Sequence, residues 1–422
     1  MTVSAQFQIE YLQYLDADGN LVRDDLPASL REPRSLLPMF KQMLATRVFD
    51  TKAVALQRTG KLGTFASCLG HEAAHVGIGA AMKSGDVFAP SYREYGAMFM
   101  RGVRPRDVLM YWGGDERGSD YDRNSDAARD FPICVPISTQ CLHAAGSALS
   151  FKLRNMPQVA VTVCGDGGSS KTDFYAAVNS AGAYKLPLIL CVVNNGWAIS
   201  VPRSAQTGAE TLAQKGLAGG LFCLQVDGND LIAVLAAMEQ ARERALSGQG
   251  GTVLEFLTYR LSDHTTADDA RRYRDADEVA GHARSRDEHA RATADEAHRS
   301  ARAAGMESVH HEVKTILDAE GEVKSLGNGT ANTTVRTGSR RSDAPGTAAR
   351  RLLRGAVTAR REQVADITDA MILHRLLVAL FENGVGFVTT SNFRPDDLYP
   401  GGLHRDRILP AIDLLNERMD VI

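Results

Sequence analysis

GDGGSSKTDFYAAVNSAGAYKLPLILCVVNNGWAISVPRS, residues 165–204, decides how this chain is read. It starts where one apolar run, VAVTVC (159–164), stops. It contains a second, LPLILCVV (186–193), which stops at Asn194-Asn195. Short continuous apolar runs bounded by turn formers read as buried strands of a parallel sheet. A helix over about 172–184 joins them. The carboxyl ends of parallel strands form the ligand crevice of an open α/β sheet. The unit therefore delivers Gly165-Asp166-Gly167 and Asn194-Asn195 to one edge. One carboxylate and one amide there suit Mg²⁺, which takes oxygen ligands in an octahedron and borrows the rest from phosphate and water. The glycines let backbone approach a phosphate closely. Alone, either motif is an ordinary turn.

The surrounding chain supports the same architecture. LLPMFKQMLATRVFDTKAVALQ (36–57) has apolar residues at helical spacing. GHEAAHVGIGAAM (70–82) reads as a Gly/Ala-rich helix packed closely against its neighbours, and ISTQCLHAAGSALSFKLR (137–154) as another helix. TVLEFLTYRL (252–261) reads as a further strand. This alternation predicts an α/β fold with a parallel sheet flanked by helices. Residues 1–34 read as an amino-terminal arm, two extended pieces around an Asp18-Gly19 turn. The DxDxN pattern from Asp16 is set aside as a calcium loop, because Leu21 stands where that loop needs glycine.

Composition bounds the function. The chain has 422 residues, 44% hydrophobic and 23% charged, as soluble globular proteins do. A formal net charge of −3 gives no reason to invoke nucleic acid or an anionic membrane. The six cysteines form no CxxC pair, and Cys164 and Cys191 fall in strand runs, which fits a reducing cytoplasm. The amino terminus lacks a basic region followed by an apolar run, and no apolar stretch approaches membrane-spanning length.

With its flanks, the 165–204 stretch resembles the alpha subunit of the dehydrogenase component of 2-oxoacid dehydrogenase complexes. The resemblance runs from about residue 35 to about residue 280. It includes RVFDTKAVALQRTGKLGTF (47–65), SYREYGAMFMRGV (91–103), YWGGDERGSD (111–120), QVDGNDLIAV (225–234) and LTYRLSDHTTADDARRYR (257–274). It implies the thiamine-diphosphate-binding fold, with thiamine diphosphate and Mg²⁺ as cofactors. Asp166, the Asn195 side chain and the Trp197 main-chain carbonyl would hold the metal. Tyr92 and Arg93 would bind the diphosphate, with Gly165, Gly167 and Gly168 bringing main chain near it. The main chain of Val135 and Ile137 would hold the aminopyrimidine, and the Ile137 side chain would wedge the cofactor into a bent shape. His264 would be the active-site histidine. Thr265 stands where related mitochondrial enzymes are regulated by serine phosphorylation. Some relatives carry Arg before the Asn pair, where this chain has Val193, so one phosphate contact is missing or supplied elsewhere. The implied reaction decarboxylates a 2-oxoacid, pyruvate first and branched-chain 2-oxoacids next, and passes the acyl group to a lipoyl group on an acyltransferase core. The implied partner is a beta subunit in an α2β2 heterotetramer, which supplies the glutamate that activates the cofactor.

Two motifs compete with this reading. His71-Glu72-Ala73-Ala74-His75 is a formal HExxH, which on a helix sets two imidazoles on one face for zinc. No third ligand follows at a metalloprotease spacing. GDGGSSKT (165–172) falls one residue short of a phosphate loop, because Ser170 replaces the glycine before Lys171.

The carboxyl-terminal third differs in character. No Phe, Trp or Tyr occurs between Tyr273 and Phe381. Residues 282–363 read as a disordered linker, since so little apolar surface cannot offset chain entropy. Within it, 287–304 and 308–324 carry helical patterns. Residues 364–422 resemble a fragment of ZapE-like AAA-type ATPases, with Asn392 as sensor and Arg405 and Arg407 near an interface. Arg360-Arg361-Glu362-Gln363 stands where the acidic Walker B pair belongs, and the nucleotide-binding core is absent. The expected domains are thus 1–34, 35–281, 282–363 and 364–422. An impaired fusion acting as an interaction module, or an ATPase-related protein, are the competing functional readings.

Overall fold

The computed structural model describes residues 2–16, 20–27, 30, 33–303 and four positions near the carboxyl end, Leu409, Ile412, Asp413 and Asn416. The Asp18-Gly19 turn, the helical pattern at 308–324 and almost all of the ATPase-like stretch, with Asn392, Arg405 and Arg407, lie outside the described residues. By compactness the chain divides into Met1–Gly329 and Thr330–Ile422.

The first unit has a parallel sheet at its centre. It is built from β1 (Glu10–Leu12), β2 (Val87–Ala89), β3 (Ala160–Gly165), β4 (Leu188–Asn194), β7 (Phe222–Asp227) and β8 (Thr252–Leu257). A short antiparallel pair, β5 (Trp197–Ala198) and β6 (Val201–Pro202), follows β4. The order in the six-stranded sheet is β1-β7-β8-β4-β3-β2. A parallel sheet must be covered on both faces. Side chains alternate along each strand, so each strand feeds two cores. Val161, Val163, Ile189, Cys191, Leu254 and Phe256 face α1 (Pro33–Arg58), α2 (Glu72–Ala81) and α8 (Leu231–Leu246). Ala160, Cys164, Leu188, Leu190 and Val253 face α5 (Thr139–Leu153) and α6 (Thr172–Ala183). Each fully buried Val, Leu or Ile contributes roughly 1.5–3 kcal/mol.

The small residues of α2 have a packing reason. A Cβ on Gly77 would stand 2.5 Å from Val234 Cγ1 of α8. One on Gly79 would stand 2.6 Å from the Ala97 carbonyl in α3 (Tyr95–Met100). Along the chain α4 (Pro105–Trp112) follows α3, and the short α7 (Arg203–Gln206) follows β6. The strand expected over 252–261 ends at Leu257. Beyond it the chain follows the end of β4 as a loop, with Thr258 N donating to Asn194 O and Arg260 N to Asn195 O. The amino-terminal arm is part of the sheet: β1 pairs in parallel with β7, and Asp230 accepts from the main-chain N–H groups of Tyr14 and Leu15 (2.6 and 2.7 Å).

The domain boundary expected between 281 and 282 coincides with a helix. It falls inside α9 (Ala276–Ala303). The Ala-, Arg- and Glu-rich composition that suggested low order is also strong helix-forming composition. A few polar contacts dock the helix. His289 Nε2 stands 3.3 Å from Asp227 Oδ2, and Arg286 Nη1 3.8 Å from Glu72 Oε1. Asp287 pairs with Arg47 at 3.5 Å, and the His282 ring stacks on Tyr259 at 3.9 Å.

The pair His289–Asp227 makes this docking pH-sensitive. Burial lowers the imidazole pKa, but the Asp227 carboxylate outweighs it and holds the pKa above 6.5. Burial raises the Asp227 pKa, but His289 and main-chain donors outweigh it and hold the carboxyl below the usual carboxylate range. A raised histidine gives stability that is complete below 6.5 and lost as pH rises through the folded value. The lowered Asp227 gives stability lost only in acid, below its ordinary value. Amide exchange in α9 is therefore expected to speed up as pH rises above 6.5 through the folded His289 pKa, beyond the intrinsic rate change, and His289→Gln should remove that dependence. Corrected exchange that is flat with pH in the parent would disprove it.

Candidate active site

A cavity of about 300 Å³ opens at the carboxyl ends of β3 and β4. That is the lower end of the range for small-molecule sites. Of the residues nominated from sequence, Tyr92, Arg93, Ile137, Gly165, Asp166, Gly167, Gly168, Asn195, Trp197 and His264 line it. Val135 does not; it is exposed on the chain leading to Ile137.

The GDG turn places a buried carboxylate on the cavity wall. Asp166 Oδ1 accepts from Gly167 N at 2.9 Å, whereas Oδ2 is buried with no partner. Burial pushes the carboxyl pKa up to about 6. Asn195 Oδ1 caps its own turn by accepting from Trp197 N (3.1 Å), which leaves it a second lone pair. The Trp197 carbonyl accepts from Arg260 Nη1 at 3.3 Å. A Cβ on Gly165 would meet nothing within 4 Å, so the turn is open there. Gly167 is different. Its Cβ would stand 2.7 Å from the Ala198 Cβ. Gly167→Ala is expected to cost roughly 1–3 kcal/mol and to push β5 away from the turn, weakening ligand binding as well as lowering the unfolding midpoint. Unchanged stability and affinity would show that the turn tolerates the shift.

One guanidinium, that of Arg93, lines the cavity, and a second, that of Arg260, meets the cavity residue His264. Arg93 is buried; Nη1 donates to Ser67 O and Nη2 to His264 O (3.0 Å). Arg260 is fully buried and is held by the Trp197 and Ile199 carbonyls and the Tyr273 hydroxyl. Among the described residues neither has a carboxylate at ion-pair distance. Burial lowers the Arg260 pKa to about 10, helped by Arg93. His264 Nδ1 lies 3.3 Å from Arg93 Nη2 and 3.4 Å from Arg260 Nη1. A guanidinium only donates, so Nδ1 is the acceptor and the proton sits on Nε2. Burial, Arg93 and Arg260 together depress the His264 pKa to about 3. His264 is therefore a neutral Nε2–H donor.

The HExxH helix also reaches the cavity. His71 and His75 line it and are fully buried, and none of their ring nitrogens has a partner. Glu72 points elsewhere, to Arg47 at 3.3 Å and Gly70 N at 3.0 Å. Among the described residues no group of three or more His, Cys, Asp or Glu is placed to hold a metal. The second competing motif contributes Lys171 to the lining, but a different lysine grips its turn: Lys215 Nζ donates to Ser169 Oγ (2.8 Å) and Ser170 Oγ (3.2 Å).

The family model for the dehydrogenase E1 component matches residues 40–309, well over half of the chain. The chain belongs to the dehydrogenase E1 component family. It is similar to the pyruvate dehydrogenase E1 component subunit alpha of Staphylococcus epidermidis, 42% identical over 276 residues, spanning 65% of this chain and 74% of that protein. The subunit of the same name from Staphylococcus aureus strain Mu50 is 40% identical over the same length and shares. Residues 291–422 match the family model for AFG1-like ATPases, in keeping with the likeness of the tail to ZapE-like proteins.

Several residues in and around this E1 cavity are not among those nominated from sequence. Ser138, at φ 64, donates to Gly168 O at 2.7 Å and so ties the Ile137 loop to the GDG turn. A Cβ on Gly168 would stand 2.8 Å from the Ser138 Oγ. Glu94 lines the cavity, buried, with its pKa pushed up to about 7 by burial. Glu255 is fully buried and accepts from Asn194 Nδ2 at 2.7 Å, which separates the roles of the Asn pair: Asn194 faces the sheet and Asn195 the cavity. A lone acid inside the apolar run TVLEFL was the available signal for Glu255. Ser138 left none.

Proposed function

We propose that this chain is the alpha subunit of a thiamine-diphosphate-dependent 2-oxoacid dehydrogenase, acting with a beta subunit on pyruvate first and branched-chain 2-oxoacids next. The observation that carries the proposal is the partnerless Asp166 oxygen, buried on the wall of a cavity that Arg93, a guanidinium without a carboxylate partner, also lines. A buried carboxylate oxygen without a donor is costly, and a divalent cation at that point offsets the cost. The fit extends to the open space at Gly165 and to the oxygens of Asn195 and Trp197. Mg²⁺ in this set would leave octahedral positions for a diphosphate.

Thiamine diphosphate, when bound, supplies the thiazolium carbon that adds the 2-oxoacid and takes up the electrons left by CO2. The protein's part is orientation and charge. Arg93 presents N–H groups to phosphate oxygens, and Tyr92 flanks it. Gly167 and Gly168 bring main-chain amides to the same end. Ile137 wedges the cofactor at the cavity mouth, with Val135 behind it on the same loop. His264 offers Nε2–H to oxygen that gains negative charge, and its low pKa keeps it a neutral donor throughout the working pH range. Val135, Ile137 and Ile199 are exposed apolar side chains near this mouth, which supports a covering beta subunit in an α2β2 assembly. The acyl acceptor in this reading is a lipoyl group on an acyltransferase core. Among the described residues no helix is long and apolar enough to cross a membrane.

Calorimetry of thiamine diphosphate and Mg²⁺ binding, with and without a co-expressed beta subunit, tests the proposal, followed by 2-oxoacid-dependent dye reduction. Binding and turnover that need the beta subunit support it. A folded complex that binds no cofactor overturns it. The ATPase-like match leaves a second role for the tail as an interaction module. Ending the chain after Ala303, which keeps α9, separates the two: undiminished turnover with a lost partner would assign the tail to interaction.

A further inference from the structure

We propose that His71 and His75 contact the bound anion: their ring N–H groups donate to anionic oxygens in the cavity. The proposal rests on the cofactor reading above and adds two residues whose only motif is that of a rejected zinc site.

The geometry is specific. His71 is the N-cap of α2 and His75 lies four residues on, so the rings share a face, with centroids 5.3 Å apart. Both residues are 0% exposed and both line the cavity. All four ring nitrogens lack a hydrogen-bond partner, and His71 makes no capping bond to its own helix. A buried polar group left unsatisfied costs about 1–3 kcal/mol. In a neutral ring one nitrogen is an N–H donor, so the pair brings two unsatisfied donors to the lining of one cavity, which point to a ligand with acceptor atoms. Zinc is excluded as that ligand by Glu72, which is tied to Arg47, and by the lack of a third ligand among the described residues.

The surroundings select an anion. Arg93 lines the same space without a carboxylate partner, Arg260 stands 3.4 Å from His264 on its wall, and the positive end of α2 adds to their field. Burial, His75 and the two guanidiniums hold the His71 pKa well below 6.5, and burial with Arg93 brings His75 to about 3. Each ring thus carries one N–H, a donor that adds no further charge to an already positive site. Val193 lines this cavity where an arginine would supply a phosphate contact, and the two imidazoles offer donors to the same space.

Phosphate and carboxylate oxygens are the two sources of such an anion here. The test uses the full chain with its beta subunit, comparing the parent with His71→Leu/His75→Leu and with His71→Gln, which keeps an N–H donor. Affinities for inorganic diphosphate and for thiamine diphosphate with Mg²⁺ are read by calorimetry, and KM is read for the 2-oxoacid. The double variant should bind both diphosphates roughly tenfold more weakly, with His71→Gln within about threefold of the parent. Unchanged diphosphate affinity with a roughly tenfold higher KM would assign the contact to the substrate carboxylate instead. A measurement on the parent covers a variant that does not fold. Histidine C2–H exchange, read by mass spectrometry, should slow at His71 and His75 on adding diphosphate or 2-oxoacid and stay constant at the exposed His143. Parent protein that binds thiamine diphosphate, with variants equal to it in every affinity and in KM, or with exchange unmoved by either anion, overturns the proposal. A parent that fails to bind thiamine diphosphate overturns the cofactor reading instead, and the inorganic diphosphate and exchange results still judge the histidines.

Discussion

Asp166→Ala is expected to lose cofactor-dependent turnover by at least about 100-fold while the folded protein becomes no less stable. Both halves follow from one carboxylate. It is buried, Oδ1 takes a single main-chain donor, and Oδ2 takes none. Burial raises its pKa from 3.8 to about 6, so the fold disfavours the charged form. For a raised acid, the folded state binds the extra proton between these two values, and stability falls as pH rises through that window. At neutral pH the parent bears the whole cost, and alanine removes it. Net of the lost bond to Gly167 N, the gain is about 1–2 kcal/mol. Unfolding midpoints without cofactor, set beside calorimetry with Mg²⁺ and thiamine diphosphate, check the opposition. An Asp166→Ala protein that bound cofactor like the parent, or that lost several kcal/mol of stability, would make the carboxylate a structural residue.

The central architecture was legible because its signal is local. Two apolar runs ending in GDG and NN identify adjacent parallel strands without tertiary information, and β3 and β4 lie where those runs lie. The edge strands were harder. β1 and β2 have three residues each, too short for a hydrophobic period, and the sheet recruits them through pairing. Around the cavity, residues on motif loops could be read, whereas those acting across the fold could not. Arg260 stands in a strand-like run and acquires its place only when β8 ends early and the chain turns past β4. His71 and His75 were visible as a pair, but zinc spacing is the only chemistry that the pair carries in sequence. Their shared cavity with Arg93 and Asp166 is a tertiary fact.

The helical pattern at 287–304 is part of α9, but the helix starts earlier than the composition change suggests, for a related reason. Absence of aromatic residues marks a segment that cannot build its own core. It does not mark one that borrows a core. α9 lays Ala290 and Thr293 against the domain and adds ion pairs to α1 and α2, so its burial belongs to the dehydrogenase unit. The two family models overlap at 291–309, a stretch that begins inside this helix. The E1 portion therefore reaches past the composition change, and the ATPase-like match starts within a helix that the E1 domain already uses.

Glu255→Leu is expected to give the largest loss of stability, about 3–5 kcal/mol. The side chain is fully buried at the middle of β8, where leucine would match its apolar neighbours in size. Its oxygens, however, accept four hydrogen bonds. Oε1 takes Asn194 Nδ2 (2.7 Å), and Oε2 takes the main-chain N–H groups of Leu212 (2.8 Å) and Ala213 (3.0 Å) and Gln225 Nε2 (3.1 Å). Leucine leaves at least three of these donors buried without an acceptor. Gln225 alone is placed to turn toward water, being half-buried. Glu255→Gln should cost less, roughly 1–2 kcal/mol, since one amide oxygen still serves part of the set while its NH2 opposes a donor. The effect should also reach the site. Asn194 ends β4 next to Asn195, so freeing its side chain lets that turn shift, and thiamine diphosphate affinity should fall roughly tenfold even in protein that remains folded. Chemical denaturation of the three proteins, paired with cofactor titration, reads both effects. A leucine variant within about 0.5 kcal/mol of the parent would show that the four donors find other acceptors, and would remove Glu255 as the anchor of the Asn pair.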